Sequence, residues 1–353
     1  MTYKKMGIAI LSLVLAVMLL TAAVVVIFDP YLHYHAPFEW QSYQLYSVKQ
    51  RYFNDGILRN FDYDTIITGT SMTENFSASE CDELFGAKTV KVPYFGASLK
   101  EINDAMLAAV ERQPNVKRII RSMDTYKFFE DKDFMAYDDY PDYLYDDNYF
   151  NDVKYLFNKD VLLTDTFYVV ISSLRGNEPT SFDEYSNWMS ISTFGKDVVL
   201  SGYERSAEVK PRLTFTEEDK ETVRSNVYQN VISIAEENPD IEFYYFIPPY
   251  SAVFWDGLHR EGNLERSLEC QQLAIEMMLE YDNIKLFSFA DDFETVTDLS
   301  LYKDTNHYHE SVNSKILVSM SEDKHLVTKQ NCKAYFESVY SFYTSYDYDS
   351  IFE

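Results

Sequence analysis

Three cysteines in 353 residues, Cys81, Cys270 and Cys332, are too few and too widely spaced for a disulfide framework or a zinc cluster. At most one disulfide can form, so stability has to come from a packed core. Positive charge is scarce as well. The 31 Lys and Arg stand against 57 Asp and Glu, and the resulting formal charge of −26 repels phosphate backbones, which argues against nucleic acid as a partner. No Asp-rich loop has the spacing and glycine of an EF-hand, and no internal repeat is found. Aromatic residues are abundant by contrast. The 30 Tyr, 25 Phe and 3 Trp exceed what a disordered acidic chain would hold, so the chain is expected to fold. Its length allows two ordinary domains or one domain with a large insertion.

Residues 7–28 (GIAILSLVLAVMLLTAAVVVIF) carry no charge and are long enough, at helical rise, to span a bilayer core of about 30 Å. Lys4 and Lys5 precede this run and no further Lys or Arg occurs until Lys49. The positive-inside rule therefore predicts a single-pass protein of the cell membrane, with its N-terminus in the cytoplasm and the remainder extracytoplasmic. A cleaved signal peptide is the competing reading, because Thr21-Ala22-Ala23 offers small residues, but the apolar run continues five residues past Ala23. The segment Asp29-Pro30-Tyr31-Leu32-His33-Tyr34-His35 reads as an aromatic belt in the headgroup zone, in preference to a metal site at His33 and His35.

Beyond residue 60, short β-type runs alternate with helical patterns, which predicts an α/β domain with a parallel sheet of about five strands. The strands are expected at residues 65–68, 89–92, 116–122, 241–247 and 284–289. Leu99, Ile102, Met106 and Val110 lie at helical spacing, as do Val223, Val227, Val231 and Ile234, a run opened by Thr216 with Asp219 in capping-box position. Between the third and fourth strands the alternation breaks, which marks an insertion at about residues 128–215. Its first part, residues 128–150, is almost wholly Asp, Tyr and Phe, with Lys132 as its only basic residue. That density suits either a stacking platform for sugars or a local aromatic core, and the core is the expectation. The predicted organisation is a cytoplasmic N-terminus and anchor over 1–28, a juxtamembrane segment over 29–60, an α/β domain over 61–325, and a tail over 326–353. The tail is expected to form one amphipathic helix that packs on the domain and then frays.

Three blocks carry possible chemistry. The first strand runs into Gly69-Thr70-Ser71, which places Ser71 at a strand's carboxyl end and a helix's N-terminus, where N–H groups stabilise negative charge. The bland alternative is that Ser71 only caps the helix. After the second strand, Gly96 in Val92-Pro93-Tyr94-Phe95-Gly96-Ala97-Ser98 is a candidate second oxyanion donor, or simply a turn glycine. After the fifth strand, Asp304-Thr305-Asn306-His307 places an Asp where it can accept the Nδ1 proton of His307 and leave Nε2 to deprotonate a serine. The same spacing occurs at Asp256-Gly257-Leu258-His259, so position along the predicted sheet has to separate the two. A metal site built from Asp304, His307, His309 and His259 is a weaker alternative without recognisable ligand spacing.

The order of nucleophile, glycine and terminal Asp-x-x-His resembles the SGNH (GDSL-type) hydrolase and acyltransferase superfamily over about residues 61–325. Gly69-Thr70-Ser71 in place of the usual Gly-Asp-Ser, together with the anchor, is similar to the membrane-bound branch that includes D-alanyl-lipoteichoic-acid transfer proteins and polysaccharide O-acetyltransferases. The resemblance implies a flavodoxin-like three-layer α/β/α fold and a Ser71, His307, Asp304 triad. It also implies oxyanion donors at Ser71 and Gly96, with Thr70, Asp124 and Asn306 lining the site. One block departs from it: where the family's Gly-x-Asn-Asp belongs, the chain reads Arg121-Ser122-Met123-Asp124, and an ionised Asp124 cannot donate to an oxyanion. Asp124 is left to orient the loop or to accept from an acyl-acceptor hydroxyl.

The function this implies is an extracytoplasmic serine-dependent acyl or acetyl transferase, or esterase, acting on a cell-envelope polysaccharide or teichoic-acid-like polymer. It needs no cofactor and no metal, and a multipass membrane acyltransferase is a possible partner. The acidic surface disfavours an anionic polymer and puts a neutral glycan first. The alternative from another class is a protein that keeps the fold without turnover and binds carbohydrate or such a partner.

Overall fold

The computed structural model describes residues 2–146 and 148–353. Met1, and Asp147 within the acidic and aromatic stretch 128–150, lie outside them. Each predicted strand is present within two residues of its expected limits: β1 Thr65–Gly69, β2 Thr89–Pro93, β3 Arg118–Ser122, β4 Glu242–Ile247 and β5 Ile284–Ser288. Their side chains are buried almost throughout, as strands covered on both faces require. The sheet order is β2-β1-β3-β4-β5-β6, with β1 to β5 pairing in parallel. This is a doubly wound, flavodoxin-like sheet within an α/β/α arrangement. Its growth reverses between β1 and β3, and such folds place their sites outside the carboxyl ends of the strands at that reversal.

Helices cover the sheet in two groups. Leu99–Arg112, the stretch from Glu217–Val227 to Ser233–Glu237, and Leu264–Met278 pack one on the next, while Ala78–Phe85 packs with Glu310–Ser321. The expected capping box at Thr216 and Asp219 is formed, and Val223, Val227, Val231 and Ile234 are buried along the helix it opens. Asp219 is also held by Arg266 at 2.6 Å, which with the cap pulls its carboxyl down to about 2.

The tail does not fray. Leu326–Val327 adds β6 antiparallel to β5, the helix Cys332–Ser345 packs on Leu264–Met278, and Tyr348 and Ile351 are buried in a last 3-10 turn. The tail's aromatic side chains hold it down: Trp255 stacks on Tyr343 at 3.9 Å, and the Tyr343 hydroxyl donates to the Ala290 carbonyl at 2.6 Å.

The chain forms two compact units. One contains residues 62–138 and 186–353, hence the whole sheet, and the other contains residues 1–61 and 139–185. The insertion expected at 128–215 is therefore divided, its middle part belonging with the N-terminal segment. In that second unit the helix Tyr3–Phe28 is long and apolar enough to cross a membrane.

The segment that follows it is not the aromatic belt expected. Asp29, Tyr31, Leu32 and His33 are buried. The Asp29 carboxylate accepts from the Tyr155 hydroxyl at 2.8 Å and from the N–H groups of Tyr34 and His35 at 2.6 and 3.2 Å. Those donors meet the hydrogen-bonding needs of a buried carboxylate, although burial still raises its pKa. Further on, Phe38 and Trp40 are exposed and stack on each other at 5.5 Å. The expectation of a local aromatic core over 128–150 holds only in part. Phe128 is buried, but Phe134, Tyr137, Tyr149 and Phe150 are exposed.

Candidate active site

β1 ends on Gly69 at a φ of +144°, a conformation that a side chain would strain, and an added Cβ would overlap Ser122 of β3. Glycine thus lets β1 and β3 end side by side. The chain then turns into the 3-10 segment Ser71–Thr73, and Thr70 rather than Ser71 caps it, its Oγ1 accepting from the Met72 N–H at 3.5 Å. The capping role considered for Ser71 is filled by its neighbour.

Ser71 Oγ lies 2.7 Å from His307 Nε2, and His307 Nδ1 lies 2.8 and 3.0 Å from the two carboxylate oxygens of Asp304. The N–H groups of Asn306 and His307 also donate to Asp304 Oδ1, at 2.9 and 2.8 Å. Burial alone would raise the Asp304 carboxyl, but the hydrogen bond and charge of His307, with these N–H groups, outweigh it and keep it below the usual carboxylate value.

The loop bearing His307 is tied to the end of β4. The Ser251 hydroxyl and N–H donate to the Thr305 carbonyl at 2.7 and 3.3 Å, and the Tyr302 hydroxyl donates to the Pro249 carbonyl at 2.6 Å. The Ser71 turn is fastened from the other side. Lys91 of β2, fully buried, donates to the carbonyls of Glu74 and Phe76 at 2.6 and 2.9 Å, and Asn313 donates to the Met72 carbonyl at 3.2 Å.

Asp124 is buried at the end of β3, where its carboxylate accepts from Thr70 Oγ1 at 2.6 Å and from the Tyr250 hydroxyl. Of the two roles considered for it, these contacts match the orienting one, since they brace the residue next to Ser71. Gly96 adopts φ +64° in a turn that begins alongside β1, because the Tyr94 N–H donates to the Gly69 carbonyl at 2.8 Å. The N–H groups of Ser71 and Gly96 have no intramolecular acceptor among the described residues.

A cavity of about 360 Å³ is lined by Ser71, Met72, Asp124, Tyr126, Phe254, Asn306 and His307. Asn306 is thus in the lining, Thr70 stands behind it on Asp124, and Gly96 is not part of it. Burial, then the charges of Asp124 and Glu130, raises the Tyr126 phenol, so it stays a neutral donor at ordinary pH.

The second Asp-x-x-His is structural. Asp256 is buried against Arg205 at 2.8 Å and accepts from Tyr203, while His259 stacks on Tyr348 at 5.3 Å. His309 is the N-cap of Glu310–Ser321, its Nδ1 accepting from the Ser311 N–H at 3.1 Å. Among the described residues no three His, Cys, Asp or Glu are grouped to hold a metal ion.

Sequence reasoning passed over Tyr126, Tyr250, Phe254 and Trp188. The first three follow the carboxyl ends of β3 and β4, a readable signal. Trp188 comes from the insertion, where nothing marked it. Its ring meets that of His307 edge-on at 5.8 Å and carries Lys303 Nζ over its face at 3.5 Å.

No family model and no curated protein matches the sequence. Among solved structures, one from Streptococcus pneumonia described as a "putative platelet activating factor" is similar at 14% identity and a TM-score of 0.38, over 78% of this chain and 90% of that one.

Proposed function

We propose that the protein is an extracytoplasmic serine-dependent acyl or acetyl transferase, or esterase, of the SGNH type. The observation that carries the reading is the unbroken chain from Ser71 Oγ through His307 to Asp304, at 2.7 and 2.8 Å. In this reading Ser71 Oγ attacks the carbonyl carbon of an acyl donor while His307 Nε2 takes its proton, and Asp304 holds the imidazole tautomer and stabilises the imidazolium. The N–H of Ser71 supplies the oxyanion site, and that of Gly96, outside the cavity lining, is the second donor only as the resemblance implies. The leaving group departs with the proton from His307, and the acyl-enzyme passes its acyl group to a sugar hydroxyl or to water.

The apolar helix Tyr3–Phe28 preceded by Lys4 and Lys5 supports an anchor with a cytoplasmic N-terminus, which keeps the site close to the outer membrane face. A multipass membrane acyltransferase there would raise the effective donor concentration. The charge of −26 favours a neutral envelope glycan over an anionic polymer as acceptor.

A fluorophosphonate probe tests this reading. Labelling of the full chain that vanishes in Ser71→Ala supports it. The reading fails if well-folded protein takes no label. A second reading, a binding protein that keeps the fold without turnover, has one observation in its favour: Asp124 accepts from two hydroxyls and offers no donor at the position where the resemblance calls for asparagine.

A further inference from the structure

The N-terminal helix sets a depth for whatever packs on it. Its uncharged run of 22 residues is about 33 Å long, close to the roughly 30 Å of a hydrocarbon core. Residues 7–20 are exposed on all sides but span only about 21 Å. Residues 21–28 must supply the remainder. They are the part of the helix that the protein covers, with Val25 fully buried, and the elements packed on the helix are Val153–Leu156 and the π turn Val161–Thr166. These elements therefore stand at the depth of the outer leaflet.

Their outward face is apolar although polar groups are turned inward. From the π turn the chain continues directly into the helix Phe167–Arg175. Along this stretch Asp165, Thr166 and Ser172 are buried together with Val161 and Val169, Asp165 bonding to the Tyr31 hydroxyl at 2.8 Å and to Lys49 Nζ at 2.5 Å. On the opposite face Leu163, Phe167 and Leu174 are 62%, 61% and 78% exposed. A helix facing water buries its apolar side. One that buries an aspartate and displays leucine and phenylalanine is built to face an apolar medium. Lys159 and Arg175, exposed near its two ends, suit the headgroup zone. A groove of about 490 Å³ lined by Tyr46, Leu163, Phe167 and Tyr168, with Lys49 and Asp165 paired at its base, opens beside them.

We propose that this stretch is a second membrane element, a helix that lies in the outer leaflet beside the spanning helix without crossing, with Leu163, Phe167 and Leu174 among the lipid acyl chains. The proposal rests on the first helix spanning the bilayer and is independent of the catalytic reading.

The test uses the full chain, with Cys332→Ser to remove the half-exposed thiol, reconstituted in phosphatidylcholine vesicles. An environment-sensitive dye is placed singly at Leu163→Cys, Phe167→Cys, Leu174→Cys and, as a reference inside the spanning helix, Leu13→Cys. Each of the three labels on this stretch is expected to lose most of its emission to chain-labelled doxyl lipid and to resist aqueous iodide, as Leu13→Cys does. Labels open to iodide and indifferent to doxyl lipid, with Leu13→Cys quenched by lipid, overturn the proposal. Protection from both quenchers overturns it in favour of a protein partner or a second copy. A Leu13→Cys label open to iodide removes the spanning helix on which it stands.

Discussion

His307 Nε2 stands 2.7 Å from Ser71 Oγ although 236 residues separate them. The contact exists because β1 and the loop after β5 both deliver their ends to the same edge of a parallel sheet, and because hydrogen bonds to Thr305 and Met72 fasten each side separately. Ser71→Ala and His307→Ala are each expected to lower kcat for an activated acetyl ester by about 10³-fold or more, and the double variant is expected to fall little further, since the two groups act as a unit. Additive losses would separate them.

Asp304 gives a pH signature. Its carboxyl is lowered in the folded protein from the ordinary 3.8, so ionised Asp304 contributes stability above that value, and the contribution is lost as pH falls through the lowered one. Urea midpoints of wild type and Asp304→Asn should differ at pH 7 and converge on acidification below the ordinary value. Asp304→Asn should also cost about 10⁴-fold in kcat, because an amide cannot enforce the same tautomer. A midpoint difference that persists unchanged into acid contradicts the assignment.

Asp124 braces Thr70, the residue beside Ser71. Asp124→Ala leaves the hydroxyls of Thr70 and Tyr250 without their buried acceptor, at about 1–3 kcal/mol each. Denaturant unfolding should show a loss of several kcal/mol. Asp124→Asn keeps one acceptor oxygen, and its loss should be smaller. If Asp124→Ala unfolds at the wild-type midpoint, the carboxylate is not bracing the turn.

Gly69→Ala confronts Ser122 directly and asks for a φ of +144° from a residue with a Cβ. Separation of β1 from β3 at their carboxyl ends should displace Ser71, so fluorophosphonate labelling is expected to fall even in the fraction that folds. The companion Ser122→Gly removes the nearer of the two side chains that a Cβ at 69 would meet, the other being Thr73, and should restore part of the labelling in the double variant.

The parts of this structure that are local in sequence were legible there. β1 to β5 are short apolar runs between helical patterns, and Gly69-Thr70-Ser71 and Asp304-x-x-His307 are each compact enough to read by eye. What assigned the second motif over Asp256-x-x-His259 was its place after the last predicted strand, and the Arg205 pairing of Asp256 agrees with that choice. The features that were not legible depend on distant partners. Asp29 and His33 look like headgroup residues until Tyr155 and Asp152 arrive from the insertion. β6 is two residues long and has no periodicity to detect. Trp188 reaches His307 from a segment with no strand or helix pattern of its own. The helix at 167–175 has an ordinary amphipathic pattern, and only its burial shows which face is turned inward.

The most direct test of the central claim, that Ser71 is the nucleophile of an acyl-enzyme, is mass spectrometry of the full chain quenched in acid after mixing with p-nitrophenyl acetate. A single acetyl group is expected on the peptide containing Ser71, present in the wild type and absent from Ser71→Ala and His307→Ala. An unmodified Ser71 peptide from folded protein that still turns over the ester, or acetyl groups that persist on the same peptide in His307→Ala at the wild-type rate, would contradict it.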